Sequence, residues 1–144
     1  MRIETYTDER KAEVVQLIKE FFEESLAEFG QKFKLEALND AIEKNKKHSF
    51  LLIIDSKCVG LVAGFEIKSP YNDERVFHEM VWYVNKQYRT KGVFLLKHTF
   101  KQLKELGFSQ VIMTLMHNSK TEKLGRFYSR LGFVPFETHY LARL

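Results

Sequence analysis

Apolar positions change their spacing several times along the chain, and each change marks an element. Residues 3–6 predict a short strand. Asp8 then opens a helix whose positive end Glu9 supports. Val14, Leu17, Ile18, Phe21, Phe22 and Phe29 recur at helical spacing until Gly30 closes that helix. A second helix over 33–47 turns Leu35, Leu38 and Ile42 inward. From Ser49 the pattern shifts to compact apolar runs. Residues 50–55 and 58–68 predict two strands joined by a turn at Ser56-Lys57, a hairpin without the usual Asn-Gly. A polar loop over 69–74, built around Pro70, precedes a third strand at 76–84.

The second half repeats the alternation. A polar, basic loop at 85–91 runs into a helix over 92–106, with Leu96, Thr99, Phe100, Leu103 and Leu106 on one face. Residues 110–116 predict another strand. Ser119 and Glu122 form an S-x-x-E capping box, so a helix is expected from 119 to 131. Residues 133–136 and 138–144 are expected to close the chain as two short strands. Leu-Gly-Phe occurs at 106–108 and again at 131–133, each time after a helical pattern: glycine takes the left-handed position that ends the helix. The expected order is β-α-α-β-β-β-α-β-α-β-β, in one domain spanning 1–144.

Composition narrows the classes. With 144 residues, 44% hydrophobic and 29% charged, the chain fits one globular domain. Thirteen Phe and six Tyr point to an aromatic core. A single cysteine, Cys58, cannot form an internal disulfide and sits in an apolar strand pattern, so it reads as core in a reducing, cytoplasmic setting. No Cys-x-x-Cys or Cys/His cluster suggests a metal site. The longest apolar run, 50–54, is too short to span a bilayer, and Met1-Arg2-Ile3-Glu4 lacks the apolar stretch of an export signal; neither a membrane protein nor an exported one is expected. The net charge of +4 favours a phosphate-bearing ligand or an acidic partner. Lys97, Lys101 and Lys104 share one side of a helix, the usual solvated face, and nucleic acid is not expected as a partner.

The segment 76–96 carries the clearest chemistry. A helix start leaves backbone N–H groups unpaired and partially positive, and it holds a phosphate readily. Arg89 and Lys91 add full charges there, and Gly92 permits close approach of the main chain. The same residues also fit an ordinary surface loop with solvated lysines.

Element order and loop together resemble the GNAT superfamily of N-acetyltransferases over nearly the whole chain. The centre of the resemblance is Trp82-Tyr83-Val84-Asn85-Lys86-Gln87-Tyr88-Arg89-Thr90-Lys91-Gly92-Val93. The family pattern Arg/Gln-x-x-Gly-x-Gly/Ala reads here as Arg89-Thr90-Lys91-Gly92-Val93-Phe94, with Phe94 in place of a small residue. A second match places Asn118 before a helix that closes with Tyr128-Ser129-Arg130-Leu131-Gly132-Phe133.

The resemblance implies an α/β (α+β) fold: a mixed, mostly antiparallel sheet with splayed central parallel strands and about four helices. It implies acetyl-coenzyme A as co-substrate, lying where strands 76–84 and 110–116 part. Backbone near Trp82 and Val84 would pair with the pantetheine arm. Arg89, Thr90, Lys91, Gly92, Val93 and Phe94 would hold the pyrophosphate, and Asn118 would contact the cofactor. The acetyl group would pass directly to a primary amine of a small-molecule or protein acceptor. Tyr128 matches the family's proton donor to the leaving sulfur, although its helical spacing equally fits packing. Glu79, inside an apolar strand, is the candidate base; a salt bridge to a neighbouring strand explains it as well. His78 and His117 are further candidates, and a backbone N–H near Val84 would stabilise the oxyanion. Phe22, Phe29 and Phe33 would line an acceptor pocket or serve as core. The alternative is a GNAT-shaped domain that binds or senses coenzyme A without catalysis, to which Phe94 points. Residues 138–144 offer an edge through which a homodimer could form.

Overall fold

A computed structural model describes residues 1–118 and 120–144 and divides the chain into two compact units, Met1–Thr114 and Leu115–Leu144. In the larger unit, strands β1 (Arg2–Thr5), β2 (Ser49–Ile54), β3 (Lys57–Lys68), β4 (Arg75–Val84) and β5 (Gln110–Ile112) form one sheet in the order β1-β2-β3-β4-β5. Three pairings are antiparallel and β4–β5 is parallel. Helices α1 (Lys11–Ser25) and α2 (Leu35–Asn45) lie between β1 and β2 in sequence; α3 (Gly92–Glu105) connects β4 to β5. A crossover helix between parallel strands is the expected geometry. The sheet is therefore mixed and mostly antiparallel.

The β2–β3 hairpin turns at Asp55 and Ser56, both at positive φ (49° and 64°), one residue earlier than the sequence pattern placed it. This two-residue turn needs left-handed backbone at both positions, which matches the twist of the strands it joins; Asp tolerates that backbone better than most residues. The β3–β4 register shifts between Ala63–Val81 and Gly64–Glu79, leaving Met80 as an extra residue in β4. Gly64 makes this bulge possible. A Cβ there would collide with the His78 carbonyl oxygen and lie 2.6 Å from the Phe77 ring.

One face of the sheet carries a core of Leu51, Ile53, Leu61, Ala63, Val81 and Tyr83 packed with Val14 and Leu17 of α1 and Ile42 of α2. Adjacent strand residues point to opposite faces. Accordingly Trp82 and Val84 lie beside Gly92 at the start of α3, while Leu95, Leu96 and Leu103 of α3 are buried. The first predicted helix is divided: a 3-10 turn at Asp8–Arg10 precedes α1, and another at Ala27–Phe29 follows it before Gly30 turns left-handed. The expected loop at 85–91 is a 3-10 turn, Lys86–Lys91, capped by Asn85, whose side chain accepts from the Gln87 N–H.

In the smaller unit, α4 (Thr121–Arg130) ends at Leu131 and Gly132, where the Phe133 N–H returns to the Tyr128 carbonyl (3.0 Å). That is the expected glycine stop, with Gly132 at φ 89°. Ser119 of the expected capping box lies outside the described residues; Glu122 stands in the first turn of α4. The expected strand 110–116 is ordered as strand only at Gln110–Ile112. Residues 133–144 form no strand. Alternation alone does not make a strand; a hydrogen-bonded neighbour does, and the smaller unit contains none among its described residues.

Candidate functional site

The parallel ladder runs Val76–Gln110, Phe77–Val111, His78–Ile112 and stops. β4 continues to Val84 beyond its last β5 partner. At this point Glu79, 4% exposed, accepts from the Thr114 backbone N–H (2.9 Å) and from the Thr114 hydroxyl. Burial pushes the Glu79 carboxyl above its ordinary range, and the two Thr114 bonds only partly offset this. The side chain thus satisfies a part-buried N–H just past the end of the ladder. The β4–β5 pairing ends here, and Glu79 sits just past its last pair.

The open stretch of β4 leads through the turn at Lys86–Lys91 into α3. Helices α1, α2 and α4 each carry a glutamate in the first turn, whereas α3 has no acidic residue there; none of the four has a side-chain cap. Arg89, Thr90 and Lys91 are exposed around this helix start, and Val93 is exposed beside them. The Gly92 N–H is held by the Arg89 carbonyl of the preceding turn, and the combination that suits a phosphate is the positive end of the helix, two nearby cations and no competing carboxylate in the first turn. Gly92 has an ordinary helical backbone (φ −59°). Its missing Cβ leaves room for Trp82, whose Cζ2 would lie 3.3 Å from such an atom. Phe94 packs its ring on His98, with centroids 4.0 Å apart.

On the opposite face of β4, Tyr83 donates its hydroxyl to Glu24 (2.9 Å) and lies 3.2 Å from Glu20. Glu24 also pairs with Arg89 and, at 3.6 Å, with Lys86. The Asn85 amide reaches Glu20 at 3.3 Å. Burial, then the bond to Glu24, raises the Tyr83 phenol above its usual range. Burial opposes ionisation of Glu24, but the bonds from Tyr83 and Arg89 prevail and lower its pKa.

The remaining candidates are placed as follows. Asn118 accepts through its side chain from the Lys120 N–H (2.9 Å), and its backbone bonds to Thr121 at the entry to α4. Tyr128 is buried on α4, 5.5 Å from the Phe133 ring and 6.1 Å from Phe127. His78 stacks on Phe65 (5.0 Å), with Nδ1 3.0 Å from the Glu79 carbonyl oxygen. His117 is exposed. Phe22 and Phe33 meet edge to face at 5.6 Å, and Phe29 is half-buried nearby in sequence. Cys58 is buried, which pushes its thiol up to about 12, so at neutral pH it is a core thiol. Among the described residues no group of three or more His, Cys, Asp or Glu side chains could hold a metal, and no helix is long and apolar enough to cross a membrane.

Sequence reasoning did not single out Thr114, Glu20 or Glu24. Thr114 carries no signal, since any residue supplies its N–H. The glutamates do carry one. Glu20 and Glu24 are like charges at i, i+4 near the negative end of a helix with no basic residue in its last turn. Both placements disfavour the helix by itself and call for a cation elsewhere.

The profile of the acetyltransferase (GNAT) family matches residues 12–133. No curated protein matches the chain. Solved structures with the same fold include a transcriptional regulator from Bacillus halodurans C-125 (TM-score 0.77, 15% identity, covering 99% of each chain). Another is a ribosomal-protein-alanine N-acetyltransferase from Brucella melitensis biovar Abortus 2308 (TM-score 0.75, 16% identity, 99% of this chain and 98% of that one). A third is an aminoglycoside acetyltransferase from an uncultured soil metagenomic sample (TM-score 0.73, 18% identity, 99% of this chain and 95% of that one). At such identities these neighbours establish the fold; the profile, spanning most of the chain and including β4, the turn and α3, establishes that the chain belongs to the GNAT acetyltransferase family.

Proposed function

We propose that this chain transfers the acetyl group of acetyl-coenzyme A to a primary amine on a small molecule or a protein. One observation carries the reading: β4 runs past the end of β5 into a basic turn whose following helix, unlike the other three, has no acidic residue in its first turn. When bound, the thioester supplies an activated acyl group and a good leaving group. The open edge of β4 at Trp82 and Val84 offers main-chain hydrogen bonds to an extended amide-bearing arm, as a sheet edge does to an added strand. The positive end of α3, with Arg89 and Lys91, holds phosphate oxygens. Glu79 accepts the amine proton through water. Its raised pKa brings it closer to the working pH, which favours a base. Tyr128 gives its phenolic proton to the departing sulfur, a role that rests on its place in the motif from Asn118 to Phe133.

Titration of the whole chain with acetyl-coenzyme A by calorimetry tests the reading, with Lys91→Glu as the control. Saturable binding weakened in Lys91→Glu, followed by amine-dependent thiol release that falls in Tyr128→Phe while binding persists, is the expected result. Absence of binding at millimolar ligand overturns it. A second reading, binding of coenzyme A without catalysis, is favoured by the engagement of Glu79 with Thr114. Binding without thiol release toward any amine selects that reading.

A further inference from the structure

Glu24 stands out among the groups that the proposed chemistry leaves unused. It is a carboxylate of α1 in contact with the turn expected to hold phosphate. Its side chain is 21% exposed and bonds to Tyr83, Arg89 and Lys86, while the Arg89 side chain is 41% exposed and lies over the Tyr83 ring at 5.9 Å. Two of the cations at the turn therefore already have an anion. The contacts are unequal, however. Glu24 keeps the Tyr83 hydroxyl and Lys86 if Arg89 turns away, so an exchange strands no buried charge. A phosphate carries more charge than a carboxylate and suits a guanidinium fork equally well.

We infer that Glu24 is a positioning residue of the cofactor site: an internal anion that holds Arg89 at the turn and is replaced on it by a phosphate of the incoming cofactor. This rests on the cofactor reading above. Glu24 then sets the affinity for acetyl-coenzyme A by competing for Arg89, and it links helix α1 to the occupancy of the turn.

The test is calorimetric titration of wild type, Glu24→Gln, Arg89→Gln and the double variant with acetyl-coenzyme A, alongside thermal melting of each. Glu24→Gln should bind about three- to fivefold more tightly, the scale of a partly exposed ion pair. The gain should shrink at raised salt and vanish in the Arg89→Gln background. In turnover the change should fall on KM for acetyl-coenzyme A and leave kcat unchanged. Glu24→Asp retains the charge but shortens its reach, so its affinity should lie between the two, and it serves where Glu24→Gln melts without cooperativity. Equal or weaker binding by Glu24→Gln, or an equal change in the Arg89→Gln background, overturns the inference while leaving the cofactor reading intact. Absence of binding by wild type and variants alike overturns both.

Discussion

The carboxylate of Glu79 accepts both the backbone N–H and the hydroxyl of Thr114, just past the last pair of the β4–β5 ladder. A parallel strand that leaves its neighbour strands N–H groups that the ladder had served, and burial makes each of them expensive to leave unpaired. Glu79 supplies the acceptor that the β4 main chain no longer offers. The bulge at Met80, opposite Gly64, changes the course of β4 at the same place. The β4–β5 pairing therefore ends at a defined position.

Thr114→Val should separate the two bonds. It removes the hydroxyl donor and leaves the N–H in place, at a loss of about 1–3 kcal/mol in unfolding free energy for a buried carboxylate deprived of one partner. Chemical denaturation measures the loss. With one fewer stabilising bond to its charged form, Glu79 should titrate higher still.

Glu79→Gln should change how stability varies with pH. The folded pKa of Glu79 lies above its unfolded value. Its contribution is therefore fully present below the unfolded carboxylate pKa of about 4.3 and is lost as pH rises through the folded pKa. Glutamine keeps an acceptor for Thr114 and does not ionise. The melting temperature of the variant minus that of wild type should thus increase with pH across this window. A difference that stays flat with pH would show that Glu79 does not titrate abnormally. If Glu79 is also the base, the variant should lose the acidic limb of the rate profile.

Gly64→Ala should destabilise the protein strongly for its size. The added methyl group would meet the His78 carbonyl oxygen and the Phe77 ring in the bulge, where backbone cannot move aside as a long side chain can. A loss of about 1–3 kcal/mol or more is expected, read by denaturant unfolding. An unaffected midpoint would mean that the bulge relaxes freely.

Substitution at Gly92 can be followed optically, because Trp82 is the single tryptophan. Gly92→Ala places a Cβ 3.3 Å from the indole and should shift its emission slightly, with little loss of stability. Gly92→Val adds two methyl groups at the same spot and should both move the emission further and lower stability by about 1–3 kcal/mol. Identical spectra for both variants and wild type would remove the steric reading of this glycine.

Sequence by itself determined the larger pattern. Apolar spacing located α1, α2 and α3 and the strands β2, β3 and β4, because burying one face requires a period near 3.6 in a helix and near 2 in a strand. The glycine stop after α4 was legible for a similar local reason: Gly132 takes a left-handed backbone that other residues resist. The basic turn before α3 was legible through Arg89, Lys91 and Gly92. Tertiary structure alone decided the features that depend on a partner distant in the chain. Local pattern assigned a strand to 110–116, yet β5 keeps strand pairing only at Gln110–Ile112, because Glu79 takes over the Thr114 N–H. Residues 133–136 and 138–144 were expected as strands but have no strand beside them in their unit. The Gly92 backbone needs no special conformation; its lack of a side chain serves Trp82, ten positions earlier in the chain. The i, i+4 spacing of Glu20 and Glu24 calls for a cation, but only the fold shows that Arg89, Lys86 and the Tyr83 hydroxyl meet Glu24. Periodicity records the burial of an element's own face, whereas the identity of a remote partner in a hydrogen bond or ion pair is not written in spacing.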